Sequence, residues 1–459
     1  AFHCVTMALI DPQFAKEQVL ILLSALTQHP HGQIPAYEWN FGDTNPPVHA
    51  WAAWNVYQMD RRMTGREDLR FLAEVYRAVT LDVMWWLNQK DDDDRGVFGG
   101  GFLGMDNVGV FDRDEPLPTG GVLDQVDGTA WMATLVLQLL EMNVELARTD
   151  PSYNRMFGRW VWDGWLIANA LEKGAGHVSF WNDSTGFYND VIELPDGTAQ
   201  PLEVFSMQAI VPLFASVSIP LAHAQAISII KEQLTELRLA YRHNETDIGL
   251  RLPGGDGSHL MVAVVDEERL TAMLKRILDP EQFLSDHGVR SLSRYHRDHP
   301  YEYNVEGVVY SVDYMPAESR NRMFGGNSNW RGPVWMPMNF MLVQAINAYS
   351  RFYGDDYEIS DPTGSDATVP LSDVCDDLAR RATATFLRDE GGRRAVFGDN
   401  DYFQNDPHWR DLVPFYEYFD GDTGRGLGAS HQTGWTGLVA VLLQFRGNLR
   451  FDDDARSQA

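Results

Sequence analysis

Residues 127–174 read DGTAWMATLVLQLLEMNVELARTDPSYNRMFGRWVWDGWLIANALEKG, and the two halves are patterned differently. The first half, 127–147, is apolar on nearly every side, which marks a helix buried all round. The second, 151–174, carries a one-sided stripe through Tyr153, Phe157, Trp160, Val161 and Ala168, which marks a helix with one face in water. Asp127 is expected to cap the start of the buried helix. A buried helix followed by a surface helix predicts two concentric layers.

The same alternation extends outward. Residues 47–89 read as a helical hairpin: prolines start it, Gly65 breaks it, and the second arm begins acidic and ends basic, as the helix dipole prefers. Further helices are predicted at 11–27, 205–216, 220–240, 267–277, 337–353, 371–388 and 434–447, with a weak one near 281. Strand signals are local, chiefly a hairpin at 177–198 with turns at NDSTG and PDG. Two layers of about six helices each make an all-α, (α/α)6 toroid (a six-hairpin barrel) with small β-hairpin insertions. A plain helical bundle or solenoid is the simpler alternative. In a toroid the loops at one end converge on a funnel.

The chain has 459 residues and a formal net charge of −28. Phosphate is bound by clustered Lys and Arg, so this acidic balance argues against nucleic acid and anionic membranes as partners. A neutral small molecule fits. Two cysteines, Cys4 and Cys375, make neither a disulfide framework nor a zinc pattern, and a cytoplasmic location is expected. No run of about 18 apolar residues occurs, so no transmembrane helix is predicted. The chain opens inside an apolar pattern without a starting Met. Its first helix is therefore expected to be truncated at the N-terminus.

Three stretches resist a helical reading: 33–47, 315–339 and 415–435. All are rich in Gly, Pro, Asn, Trp and Tyr. Disordered segments lack aromatics, so these are read as ordered functional loops. Two acids stand out. Asp106 follows the glycine run in FGGGFLGMDN (98–107), where four glycines let backbone and ligand come close; an ordinary Asp-Asn turn is the simpler reading. Glu417 lies among Phe415, Tyr416, Tyr418 and Phe419, where a carboxyl would be partly desolvated; a Glu snorkelling from an aromatic patch is the alternative. Two carboxyls facing each other across a bond are what glycoside hydrolysis needs.

GFLGMDN, NWRGPVWMPMNF, FYEYFDGDTGRG and HQTGWTGLV occur in this order, and the set resembles glycoside hydrolase family 63. Its members include processing α-glucosidases, bacterial α-glucosidases, and mannosylglycerate and glucosylglycerate hydrolases. The resemblance covers essentially the whole chain. It implies one (α/α)6 catalytic domain over 1–459 and hydrolysis of an α-glucosidic or related α-mannosidic bond with inversion. Asp106 would be the general acid and Glu417 the general base, their carboxyls ~6.5–9.5 Å apart. By the same comparison Tyr37, Trp39 and Asp43 line the sugar pocket, and Trp330 and Arg331 contact sugar hydroxyls, with a structural ion pair the alternative for Arg331. His431 and Gln432 hold hydroxyls or a water. Trp335 completes the set, although a tryptophan is more often core than platform.

The implied ligand is an α-linked oligosaccharide or a glucosyl- or mannosyl-glycerate-type molecule, with Arg425 a candidate for the glycerate. No organic cofactor is needed. Some relatives bind calcium, but KDDDDRGVFGG (90–100) lacks the spaced ligand pattern and reads as a solvated loop, so no metal site is placed. Glucose against mannose, the aglycone and the oligomeric state stay open. Two rivals remain: a toroid sugar epimerase or lyase, which would use His or Tyr as base, and a non-catalytic carbohydrate-binding scaffold, which would not need the two acids.

Overall fold

Helix starts and stops follow local chemistry. Asp11 caps α2 (Pro12–Leu22) by accepting from Phe14 N, with Pro12 in the first turn. α3 (His49–Thr64) ends at Gly65, whose φ of +70° lets its N–H close on Arg61 O. α4 (Leu69–Gln89) then returns antiparallel against α3, giving the hairpin expected at 47–89. The computed structural model describes the chain except residues 38–39, 45–47, 90–94, 101, 114, 175–177, 226–249, 252–256, 321–327, 362–366 and 457–459.

The decisive pair is as patterned. In α5 (Val126–Ala147) every residue but Glu141 is buried. α6 (Asn154–Lys173) packs on it through Phe157, Trp160, Val161, Ile167 and Leu171 and leaves Trp162 and Leu166 exposed. The stripe passes through Gly164 and Ile167 instead of Ala168, which is only half-buried. Asp127 does not cap α5. The cap position is Gln125, and Asp127 sits in the first turn, paired at 3.0 Å with the buried guanidinium of Arg113.

Past α6 the helices continue at 267–277, 336–353, 371–384 and 439–456. The helix Met336–Tyr353 packs on Leu371–Ala384, which packs on Val439–Arg456. α1 (Phe2–Met7) touches α2, α3 and both C-terminal helices, Thr433–Thr436 and Val439–Arg456. Helices dominate, and among the described residues every sheet has two or three strands. Among the described residues, no helix is long and apolar enough to cross a membrane.

Several predicted elements differ. Residues 207–214 form a 3-10 helix containing Pro212, and Ser216–Pro220 is a strand paired with His259–Ala263. Proline removes an N–H from the helical ladder, and the alternating Val217 and Ile219 favour a strand. Of the helix expected at 220–240 only Leu221–Gln225 falls within the described residues. Near 281 the chain makes a small hairpin, 284–285 with 288–289. The single hairpin expected at 177–198 is two: 181–182 with 187–188, and 190–193 with 199–202, the latter joined by 122–124.

Candidate active site

The site is built where three segments distant in sequence meet. The first is the glycine-rich stretch. Phe98 N donates to Thr129 Oγ1 at 3.1 Å and Gly100 N to Gln125 Oε1 at 2.9 Å, which pins it to the start of α5. The chain then winds into a 3-10 turn, Phe102–Asn107, with Met105 and Asn107 buried. Asp106 lies on this turn, and its side chain is outside the described part.

The second segment, 328–335, runs beneath that turn. Asn107 Nδ2 donates to Ser328 O at 2.8 Å, and Trp330 N donates to Asn107 Oδ1 at 3.2 Å. Arg331 is 2% exposed. Its Nε donates to Asn107 O at 2.6 Å, Nη2 to Gly109 O at 2.8 Å, and Nη1 to Ser311 O at 3.2 Å. Three chain carbonyls thus accept from Arg331, two of them from Asn107 and Gly109, and Arg331 braces the turn that carries Asp106. Burial lowers its pKa, with Asp313 opposing.

Trp330 and Trp335 are both fully buried and stack on each other, centroids 3.9 Å apart and planes 2° from parallel. Tyr418 stacks on Trp335 at 4.8 Å, and Trp435 tilts against it at 5.4 Å. Each such aromatic pair adds roughly 0.5–1.5 kcal/mol beyond its burial. Trp335 is therefore core, not an open platform, and its Nε1 donates to Asn329 O at 3.0 Å. Trp330 Nε1 is buried with no partner among the described residues, 4.0 Å from where a Cβ on Gly104 would stand.

The third segment carries Glu417. Val334 and Phe419 exchange backbone bonds of 2.8 and 3.0 Å, which fastens it to the second. Glu417 is half-buried. Ser328 Oγ donates to its Oε1 at 2.7 Å and Ala429 N to its Oε2 at 3.3 Å. Gly428, at φ +69°, makes room for this: a Cβ there would stand 2.6 Å from Oε2. A carboxylate has about four lone-pair positions, so each oxygen keeps one free.

Asp422 anchors the far end of this loop. It accepts from Tyr314 Oη at 2.8 Å, Arg290 at 3.1 Å and Arg297 at 2.7 Å. Burial alone would raise its pKa; the Tyr314 hydroxyl and the two guanidiniums outweigh that and lower it.

Gln432 is half-buried and its N–H donates to Phe415 O at 2.7 Å, so it adjoins the Glu417 strand. His431 is exposed, bridged through its backbone to Phe415. Arg425 turns away to Glu318, at 3.0 and 3.2 Å. Trp39 lies outside the described residues, as do the side chains of Tyr37 and Asp43, whose backbones form the strands 35–37 and 40–44. Residues 90–94 of the acidic run also lie outside. Among the described residues no cluster of three or more His, Cys, Asp or Glu side chains is placed to hold a metal.

The family model for the mannosylglycerate hydrolase MGH1-like glycoside hydrolase domain matches residues 1–113 and 258–436, which include all three segments. The chain belongs to this family. The MGH1-like domain is also 45% identical to the uncharacterized protein YMR196W of Saccharomyces cerevisiae, over 96% of this chain and 42% of that protein. The chain thus spans well under half the length of that relative. A stretch of 178 residues is 27% identical to a probable mannosyl-oligosaccharide glucosidase of Schizosaccharomyces pombe, covering 39% of this chain and 16% of that one. The fold matches that of the family 63 mannosylglycerate hydrolase of Thermus thermophilus solved with glucose, with a TM-score of 0.53 and 16% identity over 96% of this chain and 91% of that one. The same hydrolase solved with Tris and D-glycerate gives 0.52 and 15% over the same shares. The family 63 resemblance of the four motifs agrees with these matches.

Asn107 and Ser328 are the residues that sequence reasoning missed. Asn107 directly follows Asp106 and Ser328 lies two positions before Trp330, but the Asn107–Ser328 bond spans 221 positions.

Proposed function

We propose that this chain is an inverting α-glycosidase, a single catalytic domain over 1–459 on an (α/α)6 toroid. The contact between α1 and the last two helices, and the helical hairpins between them, favour a closed ring. The observation that carries the catalytic reading is the tie Asn107–Ser328–Glu417. It draws the turn bearing Asp106 and the loop bearing Glu417 to one residue.

In this reading Asp106 protonates the glycosidic oxygen as the C1–O bond breaks. Glu417 takes a proton from a water that attacks C1 on the opposite face. Attack opposite the leaving group turns an α-linkage into a β-product, and the water needs the two carboxyls ~6.5–9.5 Å apart. The N–H of Trp330, buried beside Gly104 and without a partner among the described residues, would gain an acceptor from a water at the edge of the site. Neither step calls on an organic cofactor. The substrate is an α-glucoside or a related α-mannoside, either an α-linked oligosaccharide or a hexosyl-glycerate; solved relatives that hold glucose and D-glycerate lend weight to the second.

The test is proton NMR of the first anomer released from a panel of α-glucosides and α-mannosides. First release of the β-hexose is the expected result, and its identity names the sugar. First release of the α-hexose would overturn the inverting assignment.

A further inference from the structure

A cavity of about 730 Å³ opens beside the α-helix Leu371–Ala384, on residues that include none of Glu417, Ser328 or Asn107. Its size falls in the ~300–1,000 Å³ range of small-ligand sites. Six arginines and four aspartates line it. In a chain of net charge −28, six guanidiniums in one cavity call for an account.

Their pairing decides the ligand class. Each of the six faces a carboxylate within 4 Å: Arg388 on Asp411 at 2.8 Å, Arg425 on Glu318 at 3.0 Å and Arg446 on Asp376 at 2.7 Å, for example. Arg393 stands 3.7 and 3.8 Å from Asp399 and Asp401. The positive charge is therefore already balanced, and a free anion would find no excess of it. Unused hydrogen-bonding capacity is plentiful, because a guanidinium carries five N–H donors and a carboxylate about four acceptor positions. Arg394 Nε is buried with no partner among the described residues. Fixed donors and acceptors of balanced charge suit a neutral polyol.

Two exposed aromatics stand outside the cavity lining, on segments tied to its wall. Tyr402 is 55% exposed and Trp409 40%, and their rings lie 5.9 Å apart. Leu387, on the cavity wall, is also exposed. Both segments are bonded to the polar wall: Arg388 donates to the carbonyl of Arg410, next to Trp409, at 3.4 Å, and Gln404 binds Arg394 O at 2.8 Å and Gly398 O at 3.0 Å. Aromatic surface on segments bonded to a wall of planar polar side chains suits a saccharide, whose rings have an apolar C–H face and a polar hydroxyl rim.

We infer that this cavity and the Tyr402–Trp409 pair form a second saccharide-binding site that holds a neutral oligosaccharide away from the catalytic residues. The site would retain a chain while its end is processed.

The experiment is titration calorimetry with maltotetraose and with α-mannotetraose on the Glu417→Gln chain, which removes turnover. It is repeated with Trp409→Ala and with Arg393→Ala added singly. Both substituted side chains are partly exposed, and circular dichroism verifies folding. The expected result is binding of at least one tetrasaccharide, weakened by about tenfold or more in each variant. Hydrolysis of a small aryl α-glycoside by chains keeping Glu417 should be unchanged by either substitution. Binding insensitive to both substitutions, no binding of either tetrasaccharide, or binding of inorganic phosphate in their place would overturn the inference. If no α-glycoside is hydrolysed but Trp409-dependent binding persists, the proposed catalysis fails and this site stands.

Discussion

The hydroxyl of Ser328 donates to Glu417 Oε1 at 2.7 Å, while the carbonyl of the same serine accepts from Asn107 Nδ2 at 2.8 Å. One residue thus orients the proposed base and grips the turn of the proposed acid. Removing a hydrogen bond to a charged group forfeits roughly 1.5–3 kcal/mol, a fall of about 10- to 100-fold if it acts in the transition state. Ser328→Ala is expected to lower kcat within that range with KM little changed, because the base, not the sugar, loses its partner. Ser328→Thr keeps the hydroxyl and should retain most of the activity. Steady-state kinetics of both variants test this. A rise in KM at constant kcat would mean that Ser328 serves binding alone.

The two acids make a sharper demand. General acid and base groups each contribute typically ~10²–10⁴-fold. Asp106→Asn and Glu417→Gln should each lose turnover by about that factor while still binding the product sugar, which kinetics and calorimetry on the same preparations check. If either variant keeps full turnover, that residue is not part of the chemistry.

How legible this was differs between the layers of the molecule. The α5–α6 pair was readable because burial leaves a periodic mark: a helix apolar all round can only sit inside. The segment around Pro212 reads as a helix and is one, but of the tighter 3-10 kind because the proline withholds an N–H, while the strand Ser216–Pro220 that follows falls between two predicted helices and went unread. In the site, Glu417 stood out through its aromatic neighbours. The role of Arg331 did not, because a guanidinium binds carbonyls and sugar oxygens by the same donors. Only the fold brings Asn107, Gly109 and Ser311 around it.

That placement makes Arg331 a test of the scaffold. Arg331→Lys removes the planar fork and cannot reach three carbonyls at once. Each buried carbonyl left unpaired costs about 1–3 kcal/mol, so a total loss of ~3 kcal/mol is expected, read as a lower urea midpoint. Activity should fall along with it, because the Asp106 turn loses its support. Full stability with impaired sugar binding would instead return Arg331 to the role of a direct sugar contact.

Asp82 offers a test of pH dependence away from the site. It lies on α4, 1% exposed, and neither carboxyl oxygen has a well-formed hydrogen bond among the described residues. Burial raises its pKa well above the ordinary value, and the backbone of Ile34 offsets only part of this. The unfolded chain gives up this proton near pH ~3.9, whereas the folded chain keeps it to much higher pH. Between those values the folded state binds more protons, so stability falls as pH rises. The contribution of Asp82 is most favourable below about pH 4 and erodes above it. Asp82→Asn cannot ionise and should escape that loss. Thermal melts of the two chains should therefore diverge from acid toward mildly alkaline pH, with the variant gaining on the parent as pH rises. A difference in Tm that stays constant from pH 5 to pH 8 would mean that the Asp82 proton is already lost at the acid end.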